Sequence, residues 1–175
     1  PAIPVWDTSS NQLHFRTKST APIKKTKIEH FAVDAIGAIE KMAAPSSSFV
    51  DFQQDAIIRF EGDQTTVLYR SPDRQPILEL CQASNGTIYF TEIGKPIMKL
   101  EAGKSEPQPL QEGNEISLSP DERYLLFSYQ MDDGHDYIYS ELVLLDTDDN
   151  KIVDRFSNSS LLPFNPAWSA DGRSV

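Results

Sequence analysis

The sequence predicts an all-β protein, and three observations indicate this class. Apolar and polar residues alternate in short runs, turn-forming residues separate those runs, and one motif recurs along the chain. Alternation with a period of two is what a strand with one buried face produces. Because the turns between the runs are short, we expect neighbouring strands to pair as antiparallel meanders.

Short alternating runs predict strands at these positions: 12–16, 56–60, 65–69, 76–80, 87–91, 96–100, 124–129, 141–145 and 151–156. Turn-forming residues lie between them: Ser71-Pro72-Asp73, Ser84-Asn85-Gly86, Ile93-Gly94, Ala102-Gly103, Asp133-Gly134, Asp148-Asp149-Asn150 and Asp171-Gly172. Segments 45–48 and 104–109, rich in serine and proline, are predicted as loops.

One short helix is predicted, at residues 29–43. Phe31, Ile36 and Ile39 fall near 3.6-residue spacing in that segment, and Pro45 follows as a breaker. Gly37 costs a helix about 1 kcal/mol relative to alanine. Residues 36–41 also alternate, so a strand is the alternative interpretation.

The repeated motif is clearest in the second half of the chain. Leu118-Ser119-Pro120-Asp121-Glu122-Arg123 recurs fifty positions later as Trp168-Ser169-Ala170-Asp171-Gly172-Arg173. Weaker copies lie at 83–91 and 6–15, so the chain holds about four units at the roughly 40 to 45 residues expected of a propeller blade. A single small sheet cannot bury its faces alone, and such repeats therefore stack.

These two copies resemble the propeller repeat of TolB and its relatives. The resemblance is strongest over 116–175, moderate over 83–113 and weak before that, and Glu122 stands where the family's turn has glycine. It implies one β-propeller-like domain over 1–175, built of four-stranded antiparallel blades. The best-matched blade is expected at 114–160, the next one is expected to start within 164–175, and the chain is expected to be part of a longer propeller.

Composition and motifs argue against several functions. The formal net charge of −10 repels phosphate backbones, and no run is apolar and long enough for a membrane helix. His14, His30, His135 and Cys81 share no metal-ligand spacing, and no hydrolase, nucleotide or metalloprotease motif occurs. Segment 146–150 imitates a calcium loop but continues with Lys151 instead of glycine, so a hairpin turn is predicted. No catalytic residue, cofactor or metal is predicted.

A candidate binding segment runs from position 129 to 139, between the second and third strands of the best-matched blade. Long connections on rigid scaffolds commonly carry recognition, and aromatic side chains mixed with acids suit a protein or cationic partner. The alternative is that Tyr137 and Tyr139 merely extend the strand. The candidate residues are Tyr129, Asp132, Asp133, His135, Asp136, Tyr137 and Tyr139.

The resemblance implies a non-catalytic, periplasmic or otherwise extracytoplasmic module that binds a protein or senses a small ligand. One version is the sensor domain of a membrane-anchored regulator of the ToxR or CadC type. The alternative is the propeller of a prolyl-oligopeptidase-like serine peptidase. We expect no direct contact with nucleic acid, no membrane insertion by this segment, and either missing blades or a homodimer formed through open blade edges.

Overall fold

A computed structural model describes residues 4–7, 12–15, 48–157 and 162–175. The chain divides into two compact units, Pro1–Ser47 and Ser48–Val175. Every regular element in the described ranges is a β-strand, so the all-β prediction is confirmed. The predicted helix at 29–43 lies outside the described residues.

In the first unit the described residues form one antiparallel hairpin. Strand β1 (Pro4–Asp7) pairs with β2 (Gln12–Phe15), and Pro4 lies opposite Phe15. The strand predicted at 12–16 is thus confirmed. Strand β1 was not predicted.

The described residues of the second unit form three antiparallel sheets, and none of these sheets is closed. In each sheet the strands follow chain order. Sheet 1 consists of β3 (Ser48–Gln53), β4 (Ala56–Glu61) and β5 (Gln64–Arg70). Sheet 2 consists of β6 (Ile77–Gln82), β7 (Ile88–Glu92), β8 (Met98–Leu100) and β9 (Gln108–Pro109). Sheet 3 consists of β10 (Asn114–Leu118), β11 (Tyr124–Asp132), β12 (Tyr137–Asp146) and β13 (Lys151–Ser157).

Each strand predicted within this unit corresponds to an observed one, but three observed strands were missed. Strand β3 begins at Ser48, the end of the serine run predicted as a loop. Strand β9 is only two residues long and lies inside the predicted loop at 104–109. In β10 a bulge lies between Asn114 and Ser117, and Glu115 has a φ of 54°. The bulge interrupts the alternation on which strand prediction depends.

Among the residues that the structure describes, the core consists of two apolar clusters, one on each face of sheet 2. The first joins sheets 1 and 2 through Ile57, Tyr69, Ile77, Ile88, Phe90, Met98 and Leu100. The second joins sheets 2 and 3 through Tyr89, Ile97, Leu125, Phe127, Val143 and Leu145. Successive side chains of a strand point to opposite faces, so Ile88 and Phe90 of β7 lie in the first cluster and Tyr89 lies in the second. All five residues of β7 are buried.

The repeated motif forms the same turn in both of its clear copies. The Ser119 N–H donates to Tyr124 O at 2.8 Å, and the Tyr124 N–H donates to Ser119 Oγ at 2.9 Å. Fifty residues later the Ser169 N–H donates to Ser174 O at 2.8 Å, and the Ser174 N–H donates to Ser169 Oγ at 3.1 Å. The sequence repeat is therefore a repeat of local structure.

Successive turns of this kind lie next to one another. Glu122 has a φ of 62°, a left-handed conformation that glycine adopts at Gly172 in the second copy. Its carboxylate accepts hydrogen bonds from the N–H and hydroxyl of Ser84, at 2.8 and 2.7 Å, in the preceding turn. A Cβ on Gly172 would lie 3.6 Å from Pro120. Glu122 therefore occupies a position whose backbone conformation favours glycine, and its side chain links two neighbouring turns.

Residues 162–175 contact sheet 3 through hydrogen bonds to β10 and β12. The Trp168 Nε1–H donates to Ser117 O at 3.1 Å, and the Asn165 N–H donates to Glu115 Oε2 at 2.8 Å. The hydroxyl of Ser140 donates to Pro163 O. This segment therefore lies along β10 and reaches β12, beside the residues that the sequence predicted for binding.

Candidate functional site

The hairpin of β11 and β12 extends beyond the described residues of the other two strands of sheet 3. Among those residues, β10 pairs with β11 as far as Ser128, and β13 pairs with β12 as far as Glu141. The two long strands continue to the pair Asp132–Tyr137. Four residues, 133–136, form the connection. Tyr137 and Tyr139 both lie within β12, and their part in binding stays a prediction.

The tip of this hairpin is built by two aspartates. Asp133 Oδ1 accepts the N–H groups of His135 and Asp136, at 3.0 and 2.9 Å, and Asp132 Oδ1 accepts the Gly134 N–H at 2.9 Å. The hydrogen bonds from the Asp136 and His135 backbone hold the pKa of Asp133 below its ordinary value. Asp133 thus stays ionised and shapes the turn, while His135 and Asp136 are exposed to solvent.

Large apolar side chains are exposed on the ribbon below the tip. Tyr137 is 53% exposed and Ile138 59% exposed. The Tyr137 ring packs against Phe164 with ring centroids 5.3 Å apart, and Met131 lies exposed on the adjacent strand. We call Met131, Asp136, Tyr137, Ile138 and Phe164 the hairpin surface. Its acids and exposed aromatic groups are the chemistry of a recognition surface.

The base of the ribbon is fixed by polar contacts. The Tyr139 hydroxyl donates to Glu141 Oε2 at 2.9 Å, and Arg155 pairs with the same carboxylate. The hydrogen bond to Glu141 raises the pKa of Tyr139. Tyr129 packs against the second apolar cluster. Both tyrosines therefore anchor the ribbon and are less available to a partner than Tyr137.

Six of the seven predicted residues are exposed, and Tyr129 is half-buried. Asp132 and Asp133 build the turn, and Tyr129 and Tyr139 hold the base of the ribbon. Ile138 and Met131 were missed although they lie in the same segment, because strand alternation was not extended through it. Phe164 was missed because its approach to Tyr137 depends on how the chain returns along sheet 3. No local pattern in the sequence indicates that contact.

A second polar cluster, which the sequence did not suggest, lies between sheets 1 and 2. Glu92 is fully buried and accepts hydrogen bonds from the Tyr69 hydroxyl (2.9 Å) and the Ser71 hydroxyl (2.7 Å). Lys95 Nζ lies 2.9 Å from Glu92 and 3.1 Å from Asp73. Burial, reinforced by Glu92, raises the pKa of Tyr69 to about 12. The buried carboxylate of Glu92 thus has three donors around it, from Tyr69, Ser71 and Lys95, which is the arrangement of a structural junction.

Among the residues in the described ranges, neither an activated cysteine nor a cluster of metal-ligating side chains occurs. Burial raises the pKa of the Cys81 thiol to about 12, so it is protonated at neutral pH and a poor nucleophile. Over those ranges, no three or more histidine, cysteine, aspartate or glutamate side chains converge as metal ligands. Segment 146–150 forms the hairpin turn before β13, as predicted.

The sequence matches no family model and no curated protein. Among the described residues, no helix has the length and apolar character required to cross a membrane.

Proposed function

We propose that the chain is a non-catalytic binding module, made of TolB-like β-propeller blades, that recognises a protein partner through the hairpin surface. The exposed apolar group of Tyr137, Ile138 and Phe164 carries this proposal. Water-exposed aromatic and aliphatic side chains contribute little to folding when they lie beyond the neighbouring strands. They gain free energy when a partner covers them.

The blade assignment is supported by the order of strands and by the repeated turn. Sheets 2 and 3 each have four antiparallel strands in chain order, which is the arrangement of a propeller blade. The first strand of sheet 2, β6, lies next to β3 and β10, the first strands of its neighbours. First strands that adjoin in this way fit blades arranged around a common axis.

The extracytoplasmic location and the sensor role in a membrane-anchored regulator belong to the same proposal and rest on the resemblance of the turn motif. A partner that binds the hairpin surface would meet carboxylates at Asp132 and Asp136 and apolar groups beside them. That combination favours a partner with basic and apolar residues, because opposite charges steer association and apolar burial holds the complex.

Site-specific photocrosslinking in an extract of the source cells tests the proposal. A benzophenone amino acid is placed at Tyr137 and, as a matched control, at Val153, which is 54% exposed on β13. We expect one dominant protein to crosslink at position 137 and not at 153. An excess of unlabelled native chain should abolish the crosslink at position 137 by competing for the partner protein. An Ile138→Ser chain should compete poorly. Equal labelling at both positions, or full competition by Ile138→Ser, would contradict the proposal.

A further inference from the structure

A β-bulge determines which face of the β11–β12 hairpin carries Tyr137. One extra residue, Ile138, shifts the register between the opposed pairs Met131–Tyr139 and Asp132–Tyr137. A bulge of this kind turns the residues beyond it to the other face of their strand. Unbroken alternation would place the Tyr137 ring on the face that packs against sheet 2. The bulge places it on the far face of sheet 3, the one that residues 162–165 contact.

Phe164 is held at this face through its two neighbours in the chain. The Ser140 hydroxyl donates to Pro163 O, and the Asn165 N–H donates to Glu115 Oε2 at 2.8 Å. Asn165 has a φ of 50°, a left-handed conformation that a single asparagine tolerates. The ring of Phe164 is therefore positioned before any partner binds, and ordering it costs a complex little entropy.

The two rings that meet here both keep part of their surface open to solvent. Their planes are inclined at 59°, with centroids 5.3 Å apart. Tyr137 is 53% exposed and Phe164 37% exposed. The face of an aromatic ring attracts a cation that lies within about 6 Å of the ring centroid. The pair can therefore bind a positively charged group as well as an apolar one, and the neighbouring charges decide between them.

The carboxylates beside the rings have no cation of their own. Asp132 lies opposite Tyr137, and opposed side chains of an antiparallel pair share one face, with Cβ atoms about 4.5–5.5 Å apart. Asp132 Oδ1 accepts the Gly134 N–H, and within the described part of the chain neither Asp132 nor Asp136 forms an ion pair. Residues 124–142 contain no lysine or arginine. The negative charge of these two carboxylates is therefore available to a partner.

We infer that Asp132, Tyr137 and Phe164 form a site for one arginine side chain of a partner protein. The guanidinium lies over an exposed ring face and directs N–H groups at the Asp132 carboxylate. Arginine suits the site better than lysine, because its planar group stacks on aromatic rings and is more weakly hydrated. The inference rests on the proposed function, since it names the residue that the partner places on the hairpin surface.

The test is an NMR titration of the full, ¹⁵N-labelled chain with acetyl-Gly-Ser-Arg-Leu-Ser-Gly-amide, whose blocked termini leave arginine as its one charge. Peptide at up to about 10 mM should shift the amide resonances of Asp132, Tyr137 and Phe164 in a saturable way and leave those of residues 151–157 unchanged. The same peptide with citrulline, which keeps the shape of arginine without its charge, should bind about tenfold more weakly. A lysine peptide should also bind more weakly than the arginine peptide.

Substitutions separate the ring from the carboxylate. Phe164→Leu keeps an apolar side chain but removes the ring, and should weaken binding of the arginine peptide about threefold. Asp132→Asn keeps the Oδ1 acceptor for the Gly134 N–H but removes the charge, and should also weaken binding about threefold. Asp148→Asn is the matched control, because it removes an exposed charge beyond the opposite end of β12. That variant and Tyr137→Phe, which keeps its ring, should bind like the native chain.

The inference is wrong if the arginine peptide does not bind, if the citrulline or lysine peptide binds as tightly, or if Asp132→Asn weakens binding no more than Asp148→Asn does. Its failure can be told apart from failure of the proposed function. If Tyr137 crosslinks to one dominant protein while the arginine peptide does not bind, the hairpin surface binds its partner without an arginine. If neither the crosslink nor peptide binding is observed, both proposals are wrong.

Discussion

Sheet 2 meets sheet 1 and sheet 3 through apolar clusters of similar size, but the two junctions place their carboxylates at different depths. Between sheets 1 and 2, Glu92 is fully buried and held by Tyr69, Ser71 and Lys95. Between sheets 2 and 3, Glu122 is half-buried and links two surface turns through Ser84. A carboxylate at the centre of a junction fixes how two sheets pack, whereas one at the margin fixes only how their turns meet.

The apolar parts of the two junctions should be equally important, and this is the largest expected effect. Phe90 and Phe127 are each at most 1% exposed. Replacing either with alanine leaves a cavity and should cost about 3–5 kcal/mol of unfolding free energy. Urea unfolding of both variants measures the costs. If one substitution costs less than half as much as the other, the junctions differ in their apolar packing as well as in their carboxylates.

The buried carboxylate should cost nearly as much to remove. Glu92→Ala leaves the Tyr69 and Ser71 hydroxyls without their acceptor and should lower the unfolding free energy by about 3 kcal/mol, near the low end for breaking a buried pair. We expect the low end of that range because Lys95 is 26% exposed and keeps its ion pair with Asp73, at 3.1 Å, when Glu92 is replaced. Chemical denaturation measures this loss of unfolding free energy. Glu92→Gln is the control, because its side-chain amide still offers an oxygen that accepts hydrogen bonds. A loss below 1 kcal/mol for Glu92→Ala would show that the cluster adds little to the junction.

The hydroxyl of Tyr69 should contribute a smaller, pH-dependent share. Tyr69→Phe removes one hydrogen bond to a charged group and should cost about 1.5 kcal/mol at neutral pH. The folded-state pKa of about 12 lies above the unfolded value, so the folded state holds the proton more tightly. Its contribution is complete below about pH 10 and decreases as the pH rises toward 12. Unfolding free energies from pH 8 to 11 should therefore converge for the two proteins; a constant gap contradicts this.

Replacing Glu122, the carboxylate at the margin of its junction, should change the unfolding free energy least. Glu122→Ala removes the bonds to Ser84 near the surface and should cost about 1 kcal/mol or less. Glu122→Gly removes the same bonds but suits the φ of 62°, so its cost should be smaller by a few tenths to about 1 kcal/mol. Thermal unfolding compares the two. A loss for Glu122→Ala as large as that for Glu92→Ala would remove the distinction between the junctions.

The strand positions follow from sequence wherever one face of a strand is buried and its alternation is unbroken. Strand β8, strand β12 over residues 141–145, and the Asp-Gly and Asn-Gly turns are examples, because local conformation and burial there agree. Strand β10 escaped prediction because its bulge changes which residues face the core. Strand β9, at two residues, is defined by pairing with β8 and not by its own pattern.

The candidate site is harder to predict from the sequence than the strands are. The segment 129–139 could be identified from its aromatic and acidic composition, but the division of its residues between turn, base and exposed surface depends on strand register. The Glu92 cluster depends on contacts across 21 to 23 positions of the chain. Neither alternation nor local spacing indicates that Glu92, Ser71 and Tyr69 meet, because the sheets must stack before they do.

Strand β7, buried on both faces, has a consequence for how the second unit opens. Its amides can exchange with solvent only when β6 and β8 separate from it, and that separation disturbs the clusters on both sides. Local fluctuations at the hairpin tip or in β13 need no such disruption. The slowest-exchanging protons of residues 48–175 should therefore lie in Ile88–Glu92, and their exchange should report the free energy of global unfolding.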